Sequence, residues 1–155
     1  MIANRKVTGF AWNTDAQQPL LAVALQGVRS AHRTEGGSVL LFRGDGDHFE
    51  DVVIRTRDAA ASPLKLAWAP AHVHNGGLLA VGWDDGTLLV WSLKDRLSGE
   101  EQEQHAPHAV TLIEWSPEAE RFISGDGRQP EAGPANLSVW KALVVEAPQA
   151  HLARV

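Results

Sequence analysis

The 155-residue chain has no cysteine, no tyrosine and a single methionine. Without cysteine there can be no disulfide, no thiolate zinc site and no cysteine nucleophile, a composition that fits a reducing compartment. Positive charge is also scarce: 14 Lys and Arg stand against 19 Asp and Glu, a formal net charge of -5. Nucleic acid and anionic membrane surfaces both require a dense Lys/Arg face, so neither is an expected partner. Long apolar runs are missing. The longest, Leu20–Leu25, has six residues, against the roughly 20 needed to cross a bilayer. Met1 to Val7 contains no apolar core of signal-peptide length. A soluble, intracellular protein without membrane insertion is expected. At 44% apolar and 21% charged residues, the composition is that of a folded chain, long enough for one domain.

What the chain has instead is tryptophan, six residues of it, among 14 Gly and 8 Pro. These tryptophans mark a repeat. The first copy reads Phe10-Ala-Trp12, Leu20 to Leu25, then Ser38 to Phe42. The second reads Leu66-Ala-Trp-Ala-Pro70, Leu78 to Trp83, then Gly86 to Trp91. The third reads Ile113-Glu-Trp-Ser-Pro117, Arg121 to Asp126, then Asn136 to Trp140. The closing aromatics Phe42, Trp91 and Trp140 fall 49 residues apart, and the opening Trp12, Trp68 and Trp115 fall 56 and 47 apart. The runs are short, rich in Val, Leu and Trp, and bounded by Gly, Pro, Asp or Asn, which are strand signals. Leu78 to Val81 and Leu88 to Trp91 are nearly continuous apolar runs, as in strands covered on both faces. Asp84-Asp85-Gly86 between them is a hairpin turn, since Gly supplies a positive φ. No stretch has helical periodicity, and the polar tract Lys94 to His108 reads as a mobile linker.

Units of three to four strands at this period are propeller blades, whose apolar faces are buried only by neighbouring blades. The expected fold is all-β, a partial WD40-type β-propeller of three blades spanning about 7–57, 63–105 and 109–147. Leu143 to Glu146 is read as the first strand of a fourth.

The segment Leu78-Leu-Ala-Val-Gly-Trp-Asp-Asp-Gly-Thr-Leu-Leu-Val-Trp91 resembles a WD40 core. The resemblance implies that Asp85 holds the turn and Trp91 ends the third strand. Asp85, Trp91, Ser124 and Trp140 fit the family's polar tetrad, with His105 or His108 as the histidine. Departures are Ser92 and Lys141 in place of the Asp after Trp, and Val81 where Ser is usual. Across most of the chain, Leu66-Ala-Trp-Ala-Pro70, Leu79 to Trp83 and Ile113-Glu-Trp-Ser-Pro117 with Ser124-Gly-Asp126 are similar to the amino-terminal propeller of the large WD40-plus-TPR subunits of intraflagellar transport complex A. The similarity is best to the one-hundred-and-forty-kilodalton class. An inserted loop in the first blade, Gln26 to Gly37, agrees; the insertion Gly127 to Pro134 departs.

Closed propellers have about 4–8 blades, so three leave two blade faces open. The chain is then a fragment, an incomplete gene product, or one piece of an assembly closed by copies of itself or by another chain.

Sites of chemistry are sparse. His72-Val-His74 has a spacing that puts two imidazoles on one strand face, but no third ligand is near, and two loop histidines are the ordinary reading. Asp45, Asp47, Glu50 and Asp51 hint at a calcium loop, yet Glu50 and Thr56 fall where an EF-hand needs Gly and Glu. That segment reads as a turn before a strand Val52 to Arg55. Arg43-Gly44-Asp45 spells an adhesion tripeptide by chance. Ser38, Ser62, Ser98 and Ser116 lack a nucleophile elbow. Glu114, beside Trp115, is a lone carboxylate on an inner strand. No cofactor, metal or catalytic residue is assigned, and no enzyme is expected. Trp12, Trp68, Trp115, Trp91 and Trp140 are read as core at equivalent blade positions. Trp83, without a counterpart in the other copies, is either an exposed partner contact together with Asp84 or is packed against the first blade's inserted loop.

The function expected is a non-catalytic scaffold for protein–protein interaction. The resemblance implies intraflagellar transport A subunits as partners, and residence in cilium or flagellum and cytoplasm. Self-association that closes the ring is a further partner expectation. The alternatives are a generic WD40 adaptor of another assembly, a propeller enzyme or metal protein using His72 and His74, or a truncated, non-functional product.

Overall fold

The computed structural model describes residues 5–13, 19–45, 48–56, 61–70, 77–95, 98–106, 109–126, 137–144 and 150–154. Every regular element among them is a β-strand. The first unit runs through β1 (Val7–Trp12) and β2 (Leu20–Leu25), a small hairpin of β3 (Val28–Arg29) and β4 (Thr34–Glu35), then β5 (Ser38–Asp45) and β6 (His48–Thr56). The second comprises β7 (Pro63–Trp68), β8 (Leu78–Trp83), β9 (Thr87–Asp95) and β10 (Ser98–His105). The third comprises β11 (Leu112–Trp115), β12 (Arg121–Gly125), β13 (Leu137–Val144) and β14 (Ala150–Arg154). Leaving the β3–β4 hairpin aside, each unit is a four-stranded antiparallel sheet paired in chain order. The fold is an all-β, open propeller of three blades.

The register explains the spacing of the tryptophans. Trp12 lies opposite Leu21, which lies opposite Phe42. In the second sheet the same row is Trp68, Leu79 and Trp91. In the third it is Trp115, Phe122 and Trp140. Because side chains alternate across a strand, each row lies on one face of its sheet, and it is the same face in all three.

Two cores fill the spaces between sheets. One joins Ala22, Ala24, Val39 and Leu41 of the first sheet to Leu66, Leu79, Val81, Trp83, Leu89 and Trp91 of the second. The other joins Ala80, Leu88 and Val90 of the second sheet to Ile113, Phe122 and Trp140 of the third. Strand β8 contributes to both, and all six of its residues are buried. Its apolar run therefore lacks alternation because the strand is covered on both faces.

Close backbone approach shapes the crossings between blades. A Cβ on Gly37 would lie 2.4 Å from Pro63 Cδ and 2.6 Å from the Ala61 carbonyl, at the first crossing. A Cβ on Gly82 would lie 2.3 Å from Val110 Cγ1, at the second.

Two expectations are corrected. Ser98–His105, within the tract read as a linker, is strand β10, paired with β9 from Asp95 to Thr87. Its Glu and Gln residues have low strand propensity, and the ladder to β9 overrides it. Leu143 and Val144 do not open a fourth blade; they extend β13, and β14 adds the last strand of the third sheet, out to Arg154.

Candidate protein-interaction faces

The blades are joined by a repeated polar contact. Trp68 Nε1 donates to the carbonyl of Ala11 at 3.0 Å. One blade on, Trp115 Nε1 donates to the carbonyl of Ala67, also at 3.0 Å. Ala11 and Ala67 hold the same register position, opposite Ala22 and Ala80 respectively. A carbonyl has two lone pairs, so each can serve an indole as well as its own sheet. At each joint the indole-bearing face of one blade thus meets the face of its neighbour that carries Ala11 and Ala22, or Ala67 and Ala80.

The two ends of this series have only one neighbour each. Among the described residues, the exposed large apolar side chains are Val7, Phe10, Trp12, Leu112, Ile123, Leu137 and Val139. The first three lie on the indole face of the first sheet, where Phe10 is 70% and Trp12 is 49% exposed. The other four lie on the outer face of the third sheet, with Glu114, Arg121 and Lys141. Glu114, opposite Ile123, holds the register position of Ala11 and Ala67. It is exposed on this outer face. Apolar clusters of this kind, rimmed by charge, mark interaction surfaces.

The residues singled out in the sequence fall differently. Trp140 is buried and donates to Ser124 Oγ at 2.7 Å. Trp91 is buried, while Trp68 and Trp115 are partly covered at the inter-blade contacts. Trp12, read as core, is instead 49% exposed on the indole face of the first sheet, where no described residue covers the ring. Asp85 Oδ1 accepts from the Thr87 amide at 2.9 Å and so braces the β8–β9 turn, where Gly86 has φ 85°.

Trp83 is the clearest correction. It is 0% exposed, packed between the first and second sheets with Ala22, Ala24, Val39 and Leu41 in the same core. It cannot be a partner contact in this fold. Asp84 is exposed, but its carboxylate accepts from the Ser62 amide at 2.9 Å, and its own amide donates to the Ser62 carbonyl at 2.9 Å. Ser62 Oγ in turn accepts from the Gly27 amide at 2.9 Å. Ser62, in the linker between blades, is therefore tied to the second blade through Asp84 and to the first through Gly27.

The remaining candidates do not converge. His72, His74, Asp47 and His108 lie outside the described residues. Glu50 and Asp51 stand within strand β6, which begins at His48, so they are not part of a turn. Arg43, Gly44 and Asp45 are consecutive residues of β5. His105 ends β10 opposite Thr87, and Ser98 begins it. Ser38 Oγ accepts from Arg5 at 3.0 Å, and Ser116 Oγ accepts from the Arg121 amide at 3.2 Å, so both hydroxyls brace loops. No cluster of three metal-ligating side chains occurs among the described residues. No helix there is long and apolar enough to cross a membrane.

Sequence reasoning missed the two outer faces as sets of residues. The signal was present in the period-2 runs around Phe10 and Ile123, but a run by itself does not show what lies opposite it. A comparison with family models matches residues 3–143 to one described as the IFT140 first beta-propeller.

Proposed function

The chain belongs to the family of the IFT140 first beta-propeller, and from that membership we propose that it is a non-catalytic scaffold of the intraflagellar transport A assembly. In this reading it serves retrograde transport in the cilium or flagellum and is recruited there from the cytoplasm. Its partners are other subunits of that assembly. The observation that carries the reading is the family match over residues 3–143. It is supported by the placement of every exposed large apolar side chain among the described residues on one of two blade faces. A stiff β-sheet stack with such faces binds other protein surfaces at low entropic cost, because little of it must be ordered on association. The hydroxyls of Ser62 and Ser116 accept from backbone amides and that of Ser38 from the Arg5 guanidinium, which favours recognition over chemistry.

The test is affinity purification of the tagged protein from ciliated cells under native conditions, read by mass spectrometry, with its position in the cell followed by microscopy. Transport A subunits co-purifying, and enrichment in the cilium, are the expected result. Recovery of a different assembly, such as a coat or a ubiquitin ligase, with no ciliary enrichment, would overturn it.

A further inference from the structure

The first blade carries an element that the second does without. Its strands β2 and β5 are joined through Gln26 to Gly37, which hold the β3–β4 hairpin, whereas β8 and β9 are joined by Asp84-Asp85-Gly86 alone. The hairpin leaves the blade at its loop end, beside the start of β1 and the linker to β7, rather than from either face of the sheet. Both of its feet are pinned. The Arg5 guanidinium donates to the Gln26 carbonyl at 2.9 and 3.1 Å, to the Gly36 carbonyl and to Ser38 Oγ. The Gln26 amide donates to the Lys6 carbonyl at 2.8 Å, and the Gly37 amide to the Ala61 carbonyl at 2.7 Å. At the far end, the Ser30 amide donates to the Arg33 carbonyl at 2.8 Å and closes the turn over Ala31 and His32.

What this element displays is positive charge. Residues 1–37 contain Arg5, Lys6, Arg29 and Arg33 against Asp15 and Glu35, while the rest of the chain carries ten Lys and Arg against seventeen Asp and Glu. Arg29, His32 and Arg33 are all exposed. Arg33 pairs with Glu35, and no described carboxylate pairs with Arg29. Arg29 stands opposite Thr34, while Arg33 bonds across to Ser30. Because side chains alternate along a strand, the two guanidinium groups are on opposite faces of the tip, with His32 at the turn between them.

We propose that the β3–β4 hairpin is a docking element for an acidic segment of another protein, which wraps the tip and sets carboxylates on Arg29 and Arg33. A guanidinium takes a carboxylate in a two-pronged, charge-assisted contact. The Arg33–Glu35 pair is solvent-exposed and contributes little, so an incoming carboxylate can replace Glu35. With both feet pinned, little backbone must be ordered on binding. A short acidic segment touches only the tip. A nucleic acid duplex or an anionic bilayer would extend beyond these eight residues and meet the acidic remainder of the chain.

This docking is independent of the transport reading. Binding of an acidic peptide and the identity of the co-purifying assembly are separate measurements, and either can fail while the other stands.

The test is titration of the full 155-residue chain with hexaglutamate at millimolar concentration, followed by the amide signals in two-dimensional nuclear magnetic resonance. Shifts confined to Val28–Glu35 are expected, fading as sodium chloride is added. Arg29→Glu with Arg33→Glu should raise Kd about tenfold or more. Arg29→Gln with Arg33→Gln should also weaken binding, without introducing new acids. Unchanged amide signals in the rest of the protein check that both variants keep the fold. Hexalysine should not shift the hairpin. No hairpin shift with hexaglutamate, or shifts that persist in both double variants, would overturn the proposal. Tighter binding of duplex DNA or of phosphatidylserine vesicles at the same residues would overturn the assignment to a protein segment.

Discussion

Trp140 Nε1 donates to Ser124 Oγ at 2.7 Å, and each residue keeps only 1% of its surface exposed. The pair closes the third blade as a side-chain contact across adjacent strands, since Trp140 lies opposite Phe122 and Ser124 opposite Ser138. In the second blade the corresponding residues are Trp91 and Val81, where no hydroxyl is available. Ser124→Ala should therefore leave a buried indole N–H without its acceptor and cost about 1–3 kcal/mol. Urea denaturation followed by circular dichroism would show it. A loss near zero would mean that the hydrogen bond contributes nothing beyond packing.

Trp83 and Trp12 should separate cleanly. Trp83 is fully buried between two sheets, so Trp83→Ala should cost about 3–5 kcal/mol, as for large core aromatics. Trp12 is 49% exposed. In conditions that keep the chain monomeric, Trp12→Ala should cost a minor part of that. Denaturation midpoints of the two variants, compared at one concentration, decide it. Equal losses would contradict the burial difference.

The glycine crossings predict overpacking. Gly82→Ala would place a methyl 2.3 Å from Val110 Cγ1 and 2.9 Å from the Val110 carbonyl. The expected loss is about 1–3 kcal/mol. Adding Val110→Ala should recover part of it in a double-mutant cycle, because one of the clashing atoms is then gone. Gly37→Ala meets Pro63 Cδ at 2.4 Å and also the Ala61 carbonyl at 2.6 Å and Ser62 Cα at 2.9 Å, backbone atoms that no side-chain change removes. A change at Pro63 should therefore relieve only part of its loss.

The inter-blade indoles should act independently. Trp68→Phe and Trp115→Phe each remove one hydrogen bond of 3.0 Å, to Ala11 and to Ala67. Each should cost about 0.5–1.5 kcal/mol. The double variant should equal the sum, since the two contacts lie at different joints. Strong non-additivity in thermal or chemical unfolding would show that the joints are coupled through the second blade.

Three inner strands of each blade, their order and the repeat are legible in the chain alone. Period-2 and continuous apolar runs, Asp84-Asp85-Gly86 and the regular return of Trp are local chemistry. They specify extended backbone, a turn and a recurring large side chain wherever the chain goes. That much was enough to read three blades and to place the family. The outer strand Ser98–His105 was not legible, because a run of Glu and Gln has no strand signature of its own and is held by pairing to β9. The same holds for Ala150–Arg154, which is a strand through its pairing with β13. Which tryptophans are core is settled by packing. Trp83 and Trp12 both end short apolar strands. One is enclosed because it lies between the first and second sheets, and the other is open because no described residue lies over that face of the first sheet. Burial is a property of what lies opposite a residue, and in a stack of repeats that is set by the position of the blade in the series.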